Sequence, residues 1–215
     1  MKCDKKNMLL YAVTDRSWTR ETSLYEQVKA ALENGVTCVQ LREKEMNEEA
    51  FLKEAFEIGA LCREYGVPFI INDNVEIAVK CGADGVHVGQ EDMTAADVRK
   101  KVGDRMMIGV SAHTVEEAVR AVENGADYLG LGAVFGTSTK SNVKAMSAET
   151  LKAICHAVDV PTVAIGGISE QNIPLLYGSG VDGIAVVSAI FASNDPGAAT
   201  KRLRVMAESL VRSNE

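Results

Sequence analysis

Cys81-Gly82-Ala83-Asp84-Gly85-Val86 is one copy of a phrase that recurs along the chain: a helical stretch, a glycine with a small residue or Asp, then an apolar run. Other copies are Asn34-Gly35-Val36, Asn124-Gly125-Ala126-Asp127-Tyr128 and Ser179-Gly180-Val181-Asp182-Gly183-Ile184. Glycine just past a helix end adopts the left-handed C-cap easily, and the β-branched run that follows is typical of a buried parallel strand. Each copy therefore predicts a helix-to-strand junction.

The alternation of apolar runs with helical periodicity predicts the fold class. Helical spacing is clear in the segment that Asn47 opens, where Leu52, Ala55, Phe56 and Gly59 share a face. Eight strands alternating with eight helices, without a linker or a composition break, predict a single (β/α)8 barrel over residues 1–215. An open doubly wound sheet is the alternative. The predicted strands lie near residues 8–13, 36–42, 68–71, 84–88, 106–110, 127–131, 162–166 and 183–187.

Composition narrows the class of protein. The 215 residues are 47% hydrophobic and 25% charged, which is ordinary for a globular chain, and the net charge of −7 argues against nucleic acid as the main partner. The charged start precedes an apolar run too short for a signal sequence or a membrane span. Five cysteines without a Cys-x-x-Cys pair suggest neither zinc nor a disulfide framework, so we expect a cytoplasmic protein. An oligomer is possible.

The segment Gln40-Leu41-Arg42-Glu43-Lys44 places an amide and two cations on alternate positions after an apolar run. In a strand, Gln40, Arg42 and Lys44 would point to one face and the residues between them to the other. Two cations at a barrel mouth without a fixed partner predict a bound anion such as phosphate or pyrophosphate. The alternative is an interior salt-bridge network with Glu43 or Glu45.

Polar residues collect at the predicted strand ends, where this fold places its chemistry. Within this group Asp73 and Asp92 come from neighbouring loops and suit Mg²⁺, which completes its shell with waters and phosphate oxygens. The alternative for each is a helix cap. Neither His87 nor His113 is assigned a chemical role. The group comprises Gln40, Arg42, Lys44, Asn72, Asp73, His87, Gln90, Glu91, Asp92, Ser111, His113, Thr137, Ser138, Thr139, Lys140, Gly166, Gly167 and Ser188.

The last two strands end in Gly166-Gly167-Ile168-Ser169 and Val187-Ser188-Ala189. This fold often binds phosphate there, on backbone N–H groups and a helix start, and glycine lets the anion approach the main chain. The alternative is that the two glycines only form a tight turn. Together with the cationic mouth, the pattern predicts two anion sites. The segment Thr137-Ser138-Thr139-Lys140 is a candidate only because it follows a predicted strand, since polar loops are common.

These residues resemble the thiamine-phosphate synthase family, also called thiamine-phosphate pyrophosphorylase, over nearly the whole chain. Several motifs occur in the family's order. They are Gln40-Leu41-Arg42-Glu43-Lys44, Ile71-Asn72-Asp73, Val86-His87-Val88-Gly89-Gln90-Glu91-Asp92, Gly109-Val110-Ser111-Ala112-His113, Thr137-Ser138-Thr139-Lys140 and Ile165-Gly166-Gly167-Ile168. One departure is Gly136, where many relatives have proline, which leaves every candidate ligand in place.

The resemblance implies a (β/α)8 barrel that joins hydroxymethylpyrimidine pyrophosphate to hydroxyethylthiazole phosphate, giving thiamine phosphate and pyrophosphate. It implies that Asp73 and Asp92 carry Mg²⁺ and that Arg42, Lys44, Lys140 and Ser111 are the catalytic groups. The implied contacts divide between the two substrates. The pyrimidine pyrophosphate would be held by Gln40, Arg42, Lys44, Asn72, Ser111 and Lys140, and the thiazole phosphate by Thr137, Thr139, Gly167, Val187 and Ser188. Leu41, Glu43 and Ser138 are expected to contact substrate as members of the same motifs.

The implied chemistry needs no side-chain nucleophile. Pyrophosphate leaves from a benzylic-type carbon of an electron-rich aminopyrimidine, so the bond can break largely before the thiazole nitrogen attacks. The protein then stabilises charge on the leaving group and holds the second substrate in line. Two rivals stay open: a thiazole tautomerase of the same superfamily, and a non-catalytic barrel that binds thiazole phosphate.

Overall fold

The computed structural model describes residues 3–19, 22–136 and 145–214, and in it eight parallel strands close into a barrel. Each strand pairs with its neighbours in chain order, and β1 pairs with β8 to complete the ring. The predicted fold class is confirmed. The strands are β1 Leu10–Val13, β2 Cys38–Leu41, β3 Phe69–Asn72, β4 Gly85–Val88, β5 Met107–Ala112, β6 Tyr128–Leu131, β7 Thr162–Ile165 and β8 Gly183–Val186.

Helices follow most strands, with one difference from the predicted alternation. Between β7 and β8 the described chain forms only the short 3-10 helix Ile173–Leu176, so the prediction of a helix after every strand is wrong there. Pro174 lies in its first turn and cannot donate a backbone hydrogen bond. The α-helices are α1 Leu24–Glu33, α2 Glu48–Glu64, α3 Val75–Cys81, α4 Ala95–Val102, α5 Val115–Glu123, α6 Ala148–Ala157, α7 Ser188–Phe191 and α8 Pro196–Arg212.

Side-chain caps fix where the helices begin. Ser23 accepts from the N–H of Glu26, and the Glu26 side chain accepts from Ser23 in return, which forms a capping box at α1. Asn74 at α3 and Thr94 at α4 accept backbone hydrogen bonds in the same way. Such caps contribute about 1 kcal/mol each. None of the helices in the described parts of the chain has the length and apolar character needed to cross a membrane.

Strand side chains divide between two cores. Alternate residues such as Leu41 and Ile71 point outward into a large layer between the strands and the helices. The others point inward and fill the barrel, where the buried residues are Met8, Tyr11, Val13, Cys38, Ile70, Met107, Tyr128, Val163 and Ala185. Residues two positions further along the same strands therefore face the barrel mouth.

Four side chains bind the strands together in pairs at the barrel floor, the end where the strands begin. The Asp84 carboxylate, just before β4, accepts from the N–H of Phe69, the first residue of β3, at 2.9 Å. Asp127 accepts from Ile108 of β5 at 2.8 Å, and Asp182 accepts from Thr162 of β7 at 2.9 Å. At the first pair the Thr37 hydroxyl takes this place and accepts from Leu10 at 2.9 Å. These four floor clamps explain why Asp recurs in the helix-to-strand phrase.

We expect Asp84→Ala to lower the free energy of unfolding by about 1–3 kcal/mol, because the backbone N–H of Phe69 would lose its acceptor. Asp84→Asn keeps a carbonyl oxygen at the same position and is expected to lose less. Urea denaturation followed by circular dichroism measures both variants. An alanine variant as stable as the unsubstituted protein would contradict the clamp.

Candidate active site

A cavity of about 120 Å³ opens inside the barrel at the C-terminal ends of the strands. All eight strands, or the residues directly after them, contribute to its wall. The wall mixes apolar residues with hydrogen-bonding groups and one guanidinium. Its lining residues are Tyr11, Val13, Gln40, Arg42, Asn72, His87, Ser111, His113, Gly130, Gly132, Ala133, Val163, Ile165, Gly166, Gly167, Ile168, Ala185, Val186, Val187 and Ser188.

Several residues that the sequence predicted for the site line this cavity. Strand alternation brings Gln40 and Arg42 to the interior face of β2, as expected. The others come from β3, β5 and the last two strands. They are Asn72, Ser111, Gly167, Val187 and Ser188. The predicted segment Thr137, Ser138, Thr139 and Lys140 lies outside the described residues.

Arg42 combines a fixed backbone with a charge that faces the cavity. Its backbone N–H donates to the hydroxyl of Thr14 at 3.0 Å, which ties the end of β2 to the end of β1. Among the residues that the structure describes, no carboxylate forms an ion pair with Arg42. Glu43 pairs with Arg16 instead, so the proposed interior network between Arg42 and Glu43 is not found in that part of the chain. A cation in this position can bind an anionic ligand.

Lys44 and Asp73 form an ion pair at the rim, outside the cavity wall. Asp73 follows β3 directly and has a positive φ of 61°, the left-handed conformation that Asp and Asn tolerate better than most residues. Its backbone N–H donates to the carbonyl of His87 at 2.8 Å, which fixes the chain at this turn. The Asp73 carboxylate is therefore held at the end of β3 beside a cation.

Leu41 and Glu43 lie on the other face of the strand. Leu41 is fully buried in the layer between the strands and the helices. The Glu43 side chain bonds to Arg16, which also pairs with Glu54 of α2. The expectation that these two side chains line the substrate site is therefore wrong, because the strand alternation that turns Arg42 inward turns them outward.

Burial raises the pKa of the Glu43 carboxyl; the Arg16 guanidinium works against that shift, and the neighbouring Glu54 carboxyl adds to it. A carboxyl with a raised folded-state pKa binds its proton more tightly in the folded protein. Its charged form therefore destabilises the fold at neutral pH. That penalty fades as the pH falls through the raised pKa and is absent below the ordinary value of 4.5.

We expect Glu43→Gln to unfold at the same temperature as the unsubstituted protein, or at a higher one, at neutral pH. The advantage should shrink as the pH is lowered toward 4.5, since the unsubstituted Glu43 then becomes neutral as well. Thermal melts across this pH range measure the difference. A variant that is less stable at neutral pH would show that the attraction to Arg16 outweighs burial.

The structure excludes helix capping as the role of the two candidate metal ligands. The cap of α3 is Asn74 rather than Asp73, and the cap of α4 is Thr94 rather than Asp92. Asp92 accepts from the N–H of Gly89 through one carboxylate oxygen at 2.7 Å. Within residues 3–19, 22–136 and 145–214, no three His, Cys, Asp or Glu side chains converge as a metal cage. Asp73 and Asp92 follow the adjacent strands β3 and β4 and are the residues that could hold Mg²⁺, which is usually bound by one or two carboxylates plus waters and phosphate oxygens.

The two glycines after β7 adopt conformations that other residues rarely take. Gly166 has a φ of +101° and Gly167 a φ of +65°. A Cβ at Gly167 would lie 2.3 Å from the carbonyl oxygen of Gly136, so the turn itself requires glycine. Ser188 begins α7 beside this turn in the cavity wall, and the first N–H groups of a helix have no partner within the helix.

A chain of hydrogen bonds crosses the barrel beneath the cavity. The Gln40 amide donates to the Tyr11 hydroxyl at 2.7 Å, and the two phenol oxygens of Tyr11 and Tyr128 are 2.8 Å apart. His87 bonds to Tyr128 through Nδ1 at 3.1 Å and to the Ser111 hydroxyl through Nε2 at 3.0 Å. The two tyrosines were not among the predicted site residues. Their strand position, two residues before other inward-facing residues, is the signal that would have found them.

Glycine makes room for this chain. A Cβ at Gly109 of β5 would lie 2.1 Å from the Tyr128 ring and 2.5 Å from Nδ1 of His87. Gly130 of β6 is also close, since a Cβ there would lie 3.1 Å from the His87 ring. The space that the imidazole and the phenol occupy therefore depends on the missing side chains of β5 and β6.

Comparison with known proteins matches the chain to one family. A family model described as thiamine monophosphate synthase matches residues 10–190. Thiamine-phosphate synthases of Clostridium acetobutylicum and Clostridioides difficile are both 47% identical, over 184 and 191 residues. They cover 86% and 89% of this chain, and 87% and 91% of their own lengths are matched. The chain belongs to the thiamine monophosphate synthase family.

A solved structure of the family agrees with this assignment. Thiamine phosphate pyrophosphorylase from Pyrococcus furiosus is 37% identical, superposes with a TM-score of 0.88 and covers 96% of this chain and 98% of its own. The family that the motifs predicted is confirmed, and so is the prediction of an enzyme of the transferase class.

Proposed function

We propose that this enzyme condenses hydroxymethylpyrimidine pyrophosphate with hydroxyethylthiazole phosphate to form thiamine phosphate and pyrophosphate. The observation that carries the proposal is one cavity with Arg42 at one strand end, where no carboxylate of the described residues pairs with it, and the Gly167 turn with Ser188 at others. One cavity with a cationic and a backbone-lined part suits two phosphorylated ligands. Membership of the thiamine monophosphate synthase family supports the same reaction.

The substrate contacts divide between these two parts of the cavity. Arg42 would bind the pyrophosphate, with Lys44 beside it at the rim and Lys140 from the segment that follows β6 in the sequence. Gln40, Asn72 and Ser111 would hold the pyrimidine portion. The thiazole phosphate would be held by Thr137, Ser138 and Thr139 together with backbone groups of Gly167, Val187 and Ser188.

The chain's own residues would assist the reaction by electrostatic stabilisation and positioning. As the bond from the pyrimidine methylene to the pyrophosphate breaks, negative charge grows on the leaving group, and Arg42 and Lys44 would stabilise it. The apolar wall, which includes Val163 and Ile165, excludes water that would capture the carbocation-like pyrimidine. Fixing the thiazole phosphate near Ser188 orients the thiazole nitrogen toward that carbon.

Mg²⁺ is the proposed cofactor, with Asp73 and Asp92 as its protein ligands. When bound, the ion would neutralise pyrophosphate charge as a Lewis acid. Asp73 pairs with Lys44 in the structure, and Lys44 would bind the pyrophosphate beside the carboxylate that would hold the ion. The two rim residues would then act on the same leaving group.

The test is an assay that quantifies thiamine phosphate and pyrophosphate from the two purified substrates, with Mg²⁺ or with EDTA. We expect both products in equal amounts, and only when both substrates and Mg²⁺ are present. Asp73→Asn and Asp92→Asn should raise the Mg²⁺ concentration needed for half-maximal rate. Asp97→Asn is the matched control, because Asp97 is an exposed carboxylate paired with Lys100 on α4. Thiazole phosphate binding without product formation would overturn the proposal in favour of a binding protein or a tautomerase.

Ser188→Asp separates the two parts of the proposed site. A carboxylate at the start of α7 would repel the thiazole phosphate. Isothermal titration should show a large loss of affinity for that ligand and little change for the pyrimidine pyrophosphate. Equal losses for both ligands would contradict the division.

A further inference from the structure

The hydrogen-bond chain beneath the cavity has five members in series: Gln40, Tyr11, Tyr128, His87 and Ser111. Each of the three central members can either donate or accept at each contact. The donor-to-acceptor directions of successive hydrogen bonds are coupled, because a hydroxyl has one proton and a neutral imidazole has one N–H. Fixing the donor at one end of the chain therefore fixes the donor of every hydrogen bond along it.

We propose that Gln40 is a positioning residue that sets this direction and thereby fixes the tautomer of His87 and the orientation of the Ser111 hydroxyl. The Gln40 amide nitrogen donates to Tyr11, so the Tyr11 proton is directed to Tyr128. Tyr128 then donates to Nδ1 of His87, which leaves the imidazole proton on Nε2. That proton is donated to the Ser111 oxygen, and the Ser111 proton is turned toward the cavity.

Burial supports the assignment of donors along the chain. Tyr11 and Tyr128 are 1% and 0% exposed, and burial raises the pKa of both phenols well above the ordinary value. Both hydroxyls therefore carry their protons at neutral pH and can donate them. Gln40 is 4% exposed, so water has little access to the end that sets the direction.

The consequence is a chemical preference in the cavity. Ser111 offers a hydroxyl proton, so the ligand atom that it meets must be a hydrogen-bond acceptor, such as a ring nitrogen or a phosphate oxygen. This deepens the proposed function, since both substrates carry such atoms. The direction itself is a property of the ligand-free protein and can be tested without any turnover.

The experiment is ¹⁵N NMR of the histidine side chains in ligand-free protein above neutral pH. The His87 signals are assigned by their loss in His87→Gln, since the chain has 3 histidines. In the unsubstituted protein we expect Nδ1 without a proton and Nε2 with one. Gln40→Glu is nearly isosteric and, once its carboxyl is ionised, can only accept, so the chain should then reverse and Nδ1 should become protonated. A protonated Nδ1 in the unsubstituted protein, or an unprotonated one in Gln40→Glu, would overturn the proposal.

Two further variants separate transmission through the chain from a direct effect of the new charge. Tyr11→Phe removes the second link, so adding Gln40→Glu in that background should leave the His87 signals as they are in Tyr11→Phe alone. Gln27→Glu is the matched control, because Gln27 is also 4% exposed but bonds to the Trp18 carbonyl outside the chain. A shift of the His87 signals in either control comparison would count against transmission.

Kinetics connect the direction to function. Because Gln40→Glu turns the Ser111 proton away from the cavity, we expect the KM of the ligand at Ser111 to rise. The rise in KM that Gln40→Glu causes should be smaller when Tyr11→Phe is also present. If the NMR reversal occurs but thiamine phosphate is never formed, the hydrogen-bond direction stands and the proposed function fails. If thiamine phosphate forms but Gln40→Glu leaves the His87 signals unchanged, the function stands and this inference fails.

Discussion

Replacing Arg42 with alanine is expected to lower kcat/KM for thiamine phosphate formation by on the order of 10²-fold or more, as the removal of one preorganised electrostatic contact typically does. Arg42 is the guanidinium in the described cavity wall. The hydrogen bond from its backbone N–H to the Thr14 hydroxyl remains in the variant, so the end of β2 should keep its position. Steady-state pyrophosphate release measures the loss.

Two comparisons make this prediction specific. Arg42→Lys keeps a charge but loses the forked geometry that binds phosphate oxygens in pairs, so it should recover only part of the activity. Arg63→Ala removes an exposed arginine from the last turn of α2 and should leave kcat/KM unchanged. An Arg42→Ala enzyme with full activity would contradict the proposed pyrophosphate site.

The second large effect is expected for Gly109→Ala, which should destabilise the protein by about 1–3 kcal/mol or more and reduce turnover. The added methyl group would overlap the Tyr128 ring and Nδ1 of His87, and displacing either ring would disturb their hydrogen bonds to Tyr11 and Ser111. Urea denaturation and steady-state kinetics measure the two losses. Gly136→Ala is the matched control, because a Cβ there meets no atom of the described residues within 4 Å. A fully stable and active Gly109→Ala protein would contradict the packing described here.

Much of the barrel was predictable because its signals are local. Glycine after a helix and a β-branched run after glycine are set by backbone conformation and burial, and the structure places a strand near each predicted one. The predicted α-helix after β7 is replaced by the 3-10 helix Ile173–Leu176. Pro174 in its first turn does not account for this difference, because α8 also begins with a proline, Pro196.

Site residues were predictable where a polar side chain follows a strand, and they were not predictable where the residue lies within an apolar strand. Arg42 and Ser111 stand out as polar residues at strand ends, and both line the cavity. Tyr11 lies within the apolar run of β1 and Tyr128 at the start of β6, where each reads as a core residue. Their roles depend on which hydroxyls meet across the barrel, which is a long-range property. Sequence spacing within one strand does not contain it.

The floor clamps divide the barrel into four modules of two strands each. Both residues of each clamp belong to the same module. The clamped pairs are Leu10 and Thr37, Phe69 and Asp84, Ile108 and Asp127, and Thr162 and Asp182. A chain break between modules, such as at Gly66 after α2, leaves every one of these bonds within one piece. A break between Leu10 and Thr37 severs one. Sites for splitting or circularly permuting this protein are therefore unequal, and those that follow α2, α4 and α6 preserve the bonds that hold each strand pair together.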